Sequence, residues 1–113
     1  MTGRRKLFFF KTYFEEFYDS QPEKVQKKII WTLKILEDLD RIPENYLKFI
    51  KNSTGLYEIR VQVSSNIFRI FCFFDRENIV VIGHGFQKKT QKTPKQEIER
   101  AENIKKEYYD GKE

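Results

Sequence analysis

The stretch from Leu56 to Phe86 constrains this chain more than any other. From Leu56 the side chains alternate, with Tyr57, Ile59, Val61 and Val63 on one side and Glu58, Arg60 and Gln62 on the other. A period of two belongs to a strand whose faces meet different surroundings. Ser64-Ser65-Asn66 breaks the run as a turn. Ile67 to Phe74 then reads as a central strand, apolar except for Arg69. Asp75-Arg76-Glu77-Asn78 is a second turn and Ile79 to Phe86 a third strand. Three such runs joined by short polar turns predict an antiparallel meander.

The flanking segments supply what covers it. Leu7 to Phe10 reads as a buried first strand returning to the sheet edge. Thr12-Tyr13-Phe14-Glu15 has capping-box form, and Phe14, Phe17 and Tyr18 follow at helical spacing, so a short helix starts there. Ser20-Gln21-Pro22-Glu23 restarts a helix, with Val25, Ile29, Leu33, Leu36 and Leu39 along one face and Trp31 and Ile35 beside them as further core. Asp40-Arg41-Ile42-Pro43 ends it. Asn45 to Thr54 is a basic loop with a short extended piece. Thr93-Pro94-Lys95-Gln96 again has capping-box form and opens a third helix with a narrow stripe of Ile98, Ala101, Ile104 and Tyr108. The tail from Asp110 is expected to fray. The order β-α-α-β-β-β-α predicts an α+β fold, an N-terminal strand and helical hairpin packed on a twisted, mainly antiparallel sheet with a C-terminal helix.

Composition narrows the function classes. The 113 residues suit a single domain over 1–113. Lys plus Arg is 22 against 17 Asp plus Glu, a net charge of +5 that points to an anionic partner. Cys72 is the only cysteine and His84 the only histidine, so neither a disulfide nor a structural zinc site has its residues; no metal and no cofactor are expected. No apolar run approaches the roughly 20 residues of a membrane span. Arg4-Arg5-Lys6 followed by Leu7-Phe8-Phe9-Phe10 imitates a signal peptide, but the apolar run stops at Lys11. A cytoplasmic protein without a membrane partner is expected.

Arg69 is the sharpest candidate for chemistry. A guanidinium inside an apolar strand must reach water, a carboxylate or a ligand. Arg60 lies nine residues earlier, and an even-numbered hairpin loop such as Ser64-Ser65 puts both on one face. Two alternatives stand here: an anion between the arginines, or a pairing of Arg69 with Glu58 on the neighbouring strand. Lys88, Lys89, Lys92 and Lys95 follow the third strand with no acid among them, and Phe86 could stack a base. Lys48 and Lys51 add charge in the basic loop. His84, between two glycines, is a candidate general acid or base and equally a hydrogen-bonded structural residue. Cys72, among phenylalanines, reads as core. No carboxylate cluster, nucleophile elbow or phosphate loop is visible. An arginine and lysine site can still cleave RNA. The 2′-hydroxyl attacks the adjacent phosphorus, and fixed cations stabilise the charge that builds up.

Leu56-Tyr57-Glu58-Ile59-Arg60, Phe68-Arg69-Ile70 and His84-Gly85-Phe86-Gln87-Lys88-Lys89-Thr90-Gln91-Lys92-Thr93-Pro94, followed by a helix with Glu97 and Ala101, together resemble the RelE/ParE toxin superfamily, nearest its HigB-like, phage-derived branch. The resemblance covers nearly the whole chain and implies a RelE-like fold. It also implies the toxin half of a type II toxin–antitoxin pair, a metal-independent endoribonuclease that cleaves mRNA on the ribosome. By the same resemblance, Arg69 matches an arginine that contacts the scissile phosphate, Arg60 a basic residue on the preceding strand, and Lys88 and Lys89 a basic pair closing the last strand. Family members often carry a C-terminal tyrosine or histidine as base. Here no tyrosine follows Lys89 before Tyr108, which leaves His84 or a lysine and arginine network. The implied partners are mRNA, the ribosome and a cognate antitoxin, expected to be a helix-turn-helix protein. The rivals are a ParE-like toxin acting on gyrase and a non-catalytic module binding RNA or protein.

Overall fold

A computed structural model describes residues 4–112. The alternating block lies in the middle of a five-stranded sheet ordered β1-β5-β4-β3-β2. The strands are β1 (Lys6–Phe9), β2 (Leu47–Phe49), β3 (Leu56–Val63), β4 (Asn66–Phe74) and β5 (Ile79–Lys88). β2 to β5 form an antiparallel meander, and β1 closes the far edge parallel to β5. Helices α1 (Tyr13–Asp19) and α2 (Glu23–Asp38) come between β1 and β2, and α3 (Lys95–Asp110) follows β5. The fold is α+β and compatible with a RelE-like arrangement.

Because successive residues of a strand point to opposite faces, the sheet carries two separate cores. On one face Ile59, Val61, Phe68, Ile70, Cys72, Val80 and Ile82 pack with Phe14 and Phe17 of α1 and with Val25, Ile29, Leu33 and Leu36 of α2. α1 rests mainly on β5 and α2 on β3. On the other face Leu56, Phe71, Phe73 and Val81 pack with Ala101 of α3. α3 therefore covers only the half of that face nearest the start of β3.

One irregularity matters for the site. The β4–β5 pairing runs Ile70↔Gly85 on one side and Cys72↔Ile82 on the other, so β5 carries one extra residue there. The bulge flips the alternation of β5. Val81 faces α3, and beyond the bulge His84, Phe86 and Lys88 face that side too. Gly85 then lies under the Phe17 ring, where an added Cβ would come within 2.6 Å of Cδ2.

Several expectations need correction. β1 is not buried: Phe8 and Phe9 are 48% and 42% exposed, because an edge strand has one neighbour only. Leu39 and Trp31 do not join the core; they are 42% and 49% exposed. Neither threonine caps its helix. Thr12 Oγ1 donates to Glu16 Oε2 at 2.8 Å, and Pro94, not Thr93, occupies the cap of α3. Beyond Asp110, Lys112 Nζ donates to Asp75 Oδ2 at 2.6 Å, beside the Tyr108 hydroxyl on the same oxygen, and Glu113 lies outside the described residues. Arg5 serves the fold. The Arg5 guanidinium donates to the carbonyls of Leu36, Leu39 and Asp40, closing the C-terminal end of α2. Among the described residues, no helix is long and apolar enough to cross a membrane.

Candidate nucleic-acid interface

The site is the half of the second sheet face that α3 leaves open. The two-residue turn at Ser64-Ser65 makes Arg60 and Arg69 direct cross-strand partners, and Phe86 lies opposite Arg69 on β5. Lys88 pairs with Ile67 and Lys48 with Glu58, both in register with the same face. Five positions from four strands thus share one surface: Lys48, Arg60, Arg69, Phe86 and Lys88.

Adjacent guanidinium groups repel, and Glu58 resolves the conflict. Its side chain is almost fully buried. Oε1 accepts from Arg69 Nε at 3.1 Å and lies 3.8 Å from Arg60 Nε, while Oε2 accepts from Thr93 Oγ1 at 2.9 Å. The pairing of Arg69 with Glu58 is therefore the alternative that the fold realises. Arg69 Nη1 also donates to the Phe68 carbonyl at 3.1 Å. Burial pulls the Arg69 guanidinium below its ordinary value; Glu58 opposes the shift and Arg60 adds to it. An arginine nonetheless keeps its proton at any pH a folded protein meets. Arg60 is less engaged. Its side chain is 28% exposed, its Nε is buried with no hydrogen-bond partner, and Nη1 reaches the Glu44 carbonyl only at 3.5 Å.

Two grooves meet at Arg60. One, of about 330 Å³, is lined by Lys28, Asn45, Tyr46, Arg60, Gln62 and Arg69. The other, broader, runs past Asn66, Gln87, Lys88, Lys89 and Thr90. Lys88 is half-buried on the second of these. Burial holds its amine below the ordinary lysine value, and Arg69, Arg60 and Lys48 push the same way against Glu58. A lysine so placed surrenders its proton more readily than a solvated one. Lys89 and Lys92 are exposed on the strand end and the loop behind it. Thr93 fixes that loop through Glu58. Phe86 stacks on Phe71, with centroids 5.7 Å apart and planes 18° off parallel.

Two candidates stand apart. Lys51 lies in the turn before β3, at the end of the sheet opposite Lys88. His84 is sealed beneath α3 among Leu56, Phe71, Ala101 and Ile104. Its Nε2 is 2.9 Å from Glu97 Oε1, and its Nδ1 is buried without a partner. Burial lowers its pKa, Glu97 opposes this and Arg100 assists, so the ring is neutral at pH 7. The expectation of His84 as a proton shuttle meets this geometry: the ring joins α3 to the sheet and does not open on the groove. Tyr108, bonded to Asp75 at the far end of α3, is equally remote. Cys72 is core, and burial pushes its thiol up. Among the described residues no cluster of His, Cys, Asp and Glu could hold a metal ion. Sequence reasoning gave no place in the site to Lys28 and Tyr46, which come from α2 and the segment before β2. Only tertiary packing brings them to Arg60.

A sequence model of the family described as phage-derived protein Gp49-like (DUF891) matches residues 16–106, a span holding α2, the whole meander and most of α3. The chain belongs to the Gp49-like family. This is a phage-derived family of RelE/toxin-like proteins, associated with the toxins of toxin–antitoxin pairs, so an antitoxin partner goes with it in general. No curated protein matches the chain. In this Gp49-like chain the matched span contains every residue that faces the two grooves. The arrangement is a cationic surface with one arginine paired to Glu58, one underused arginine and one half-buried lysine whose amine is held below the ordinary lysine value.

Proposed function

We propose that this single-domain chain is the toxin of a type II toxin–antitoxin pair, in the HigB-like branch, and that it cleaves mRNA on the ribosome without a metal ion. The observation that carries the reading is Arg60 set against Arg69 over a buried Glu58, with Lys88 half-buried beside them in an open groove. In this reading Arg60, Lys88 and Lys89 hold the scissile phosphate. Arg69, braced by Glu58, adds charge from below and fixes where Arg60 lies. The substrate's 2′-oxygen attacks phosphorus and gives its proton to solvent water, while Arg60 and Lys88 stabilise the developing charge. The bond from phosphorus to the 5′-oxygen breaks, and that oxygen takes a proton from water. The products are a 2′,3′-cyclic phosphate and a 5′-hydroxyl. Cations fixed before the reaction stabilise the phosphorane charge without reorganising. Lys48, Lys92 and Phe86 hold the flanking RNA. Lys51 belongs to this set only as part of the wider basic surface. His84 has a supporting role under α3. A cytoplasmic location and a helix-turn-helix antitoxin complete the proposal.

The pairing of Arg69 with Glu58 favours a second reading, a module that binds RNA without cutting it. Tightly induced expression with mapping of transcript ends separates the two. Wild type is compared with Arg60→Ala and Lys88→Ala, with and without an inhibitor of translation initiation. New 5′ ends that vanish in both variants and when initiation stops establish the ribosome-dependent nuclease. Growth arrest with intact mRNA points to gyrase. A folded protein that binds RNA and leaves transcripts whole establishes the binding module.

A further inference from the structure

Outside the grooves at Arg60, the outer face of α2 carries an unexplained aromatic. Trp31, the only tryptophan of the chain, stands half exposed there. A large aromatic left in water at a position that does not close the core needs a reason. Lys28 Nζ sits 4.9 Å from the Trp31 ring centroid, and Tyr46 meets the ring edge-on at 5.6 Å and 72°. Both neighbours fix the ring in place and leave one side free. Lys24, Lys27, Lys28 and Trp31 line a shallow groove of about 510 Å³ together with Gln62, Val63 and Ser64 of the β3–β4 hairpin. The one acid at this end of the helix, Glu23, pairs with Lys27 at 3.5 Å in full exposure, an interaction too weak to neutralise the patch. Lys28 and Gln62 line this groove and also the one at Arg60 and Arg69.

We infer that single-stranded RNA leaving the Arg60 groove crosses the β3–β4 hairpin tip onto α2, where Trp31 stacks one base and Lys24, Lys27 and Lys28 hold the adjoining phosphates. This rests on the RNA-binding reading of the Arg60 site and extends it by naming the path of the strand. A fixed aromatic ring inside a cationic track is the arrangement by which proteins bind single strands without reading sequence. An acidic protein segment would satisfy the lysines but has no comparable use for the free face of the ring. The continuity of the two grooves through Lys28 and Gln62 favours the strand.

The test uses the purified full chain and oligouridylate of about ten nucleotides, a length within the usual span of single-strand sites. Because Trp31 is the only tryptophan, its fluorescence reports the contact directly. Saturable quenching should accompany binding followed by anisotropy of a labelled strand. Trp31→Ala should weaken binding about ten-fold, and Trp31→Phe should restore most of it, consistent with one stacked base. Lys24→Ala and Lys27→Ala should each lower the salt slope of binding by about 0.7, one phosphate contact on a single strand. Binding that depends on Arg60 and Lys88 while tryptophan fluorescence stays unchanged overturns the path and leaves the proposed function standing. No binding at all, in a protein with native circular dichroism, overturns the inference, while cleavage on the ribosome is decided separately by the mapping of transcript ends. Quenching by an acidic peptide but not by RNA assigns the surface to a protein partner and likewise overturns the inference.

Discussion

At the scale of single residues, Glu58 is the support of the site. It is a buried acid that accepts from Arg69 on β4 and from Thr93 in the loop before α3, with the Arg60 guanidinium of β3 3.8 Å away. Removing one partner of a buried ion pair leaves the other charge uncompensated. Glu58→Ala should therefore destabilise the fold by about 3–5 kcal/mol in urea unfolding. Arg60→Ala, whose side chain is partly exposed and loosely held, should cost under about 1 kcal/mol in the same measurement. Equal effects would mean that Arg69 is not braced as the distances imply. The contrast makes Arg60→Ala a cleaner probe of function than Arg69→Ala, which strands the Glu58 carboxylate. His84 makes the fold pH-sensitive. Burial holds its folded pKa below the ordinary 6.5. Below that value the unfolded chain takes up a proton that the folded chain refuses, so the unfolded state binds more protons and stability falls as pH falls. The denaturation midpoint should drop between about pH 7 and pH 5, and His84→Gln should flatten that drop. A profile unchanged by the substitution would place the sensitivity in another group.

At the scale of elements, the bulge in β5 does the most. It lets Val81 pack under α3 while Phe86 and Lys88 share the face of Arg69, and it leaves Gly85 beneath α1. The Phe17 ring occupies the space a Cβ at Gly85 would need. Gly85→Ala should lower stability by about 1–3 kcal/mol, the usual cost of overpacking. Thermal unfolding of Gly85→Ala, Phe17→Leu and the double variant should reveal coupling, with the glycine substitution cheaper once the ring is gone. Additive losses would mean that the strain arises in the strand itself. The helices show the limit of local signals. The stripe of α2 is legible because Val25, Ile29, Leu33 and Leu36 recur at helical spacing, and all four are buried. The capping motifs misled because a threonine hydroxyl accepts or donates wherever a partner comes first. Thr93 finds Glu58, a residue 35 positions away, and no window on the sequence contains both.

At the scale of the whole molecule, the charge of +5 is less informative than its placement. Several acids of α3 pair with other elements, as Glu107 does with Lys11 and Tyr13, whereas Lys88 and Lys89 line the groove beside Arg60 and Lys48 shares its sheet face. Such a surface should bind RNA with a salt dependence set by those side chains. Replacing Lys48, Lys88 or Lys89 by alanine should each reduce the slope of log affinity against log salt by about 0.7 in a titration with oligouridylate. A slope indifferent to all three would move the RNA to another face.

The sequence by itself determined the strands, the helices and the meeting of Arg60 with Arg69. Alternation, helical spacing and the two-residue turn are properties of a few neighbouring residues, and backbone geometry converts them into structure without reference to the rest of the chain. Tertiary structure alone decided which half of the sheet α3 covers. It therefore decided that His84 is sealed, that Glu58 is buried between two arginines, that Lys88 joins them across a bulge, and that Trp31 is left in water. Each of these depends on segments distant in sequence competing for the same surface, and no local period records the outcome of that competition.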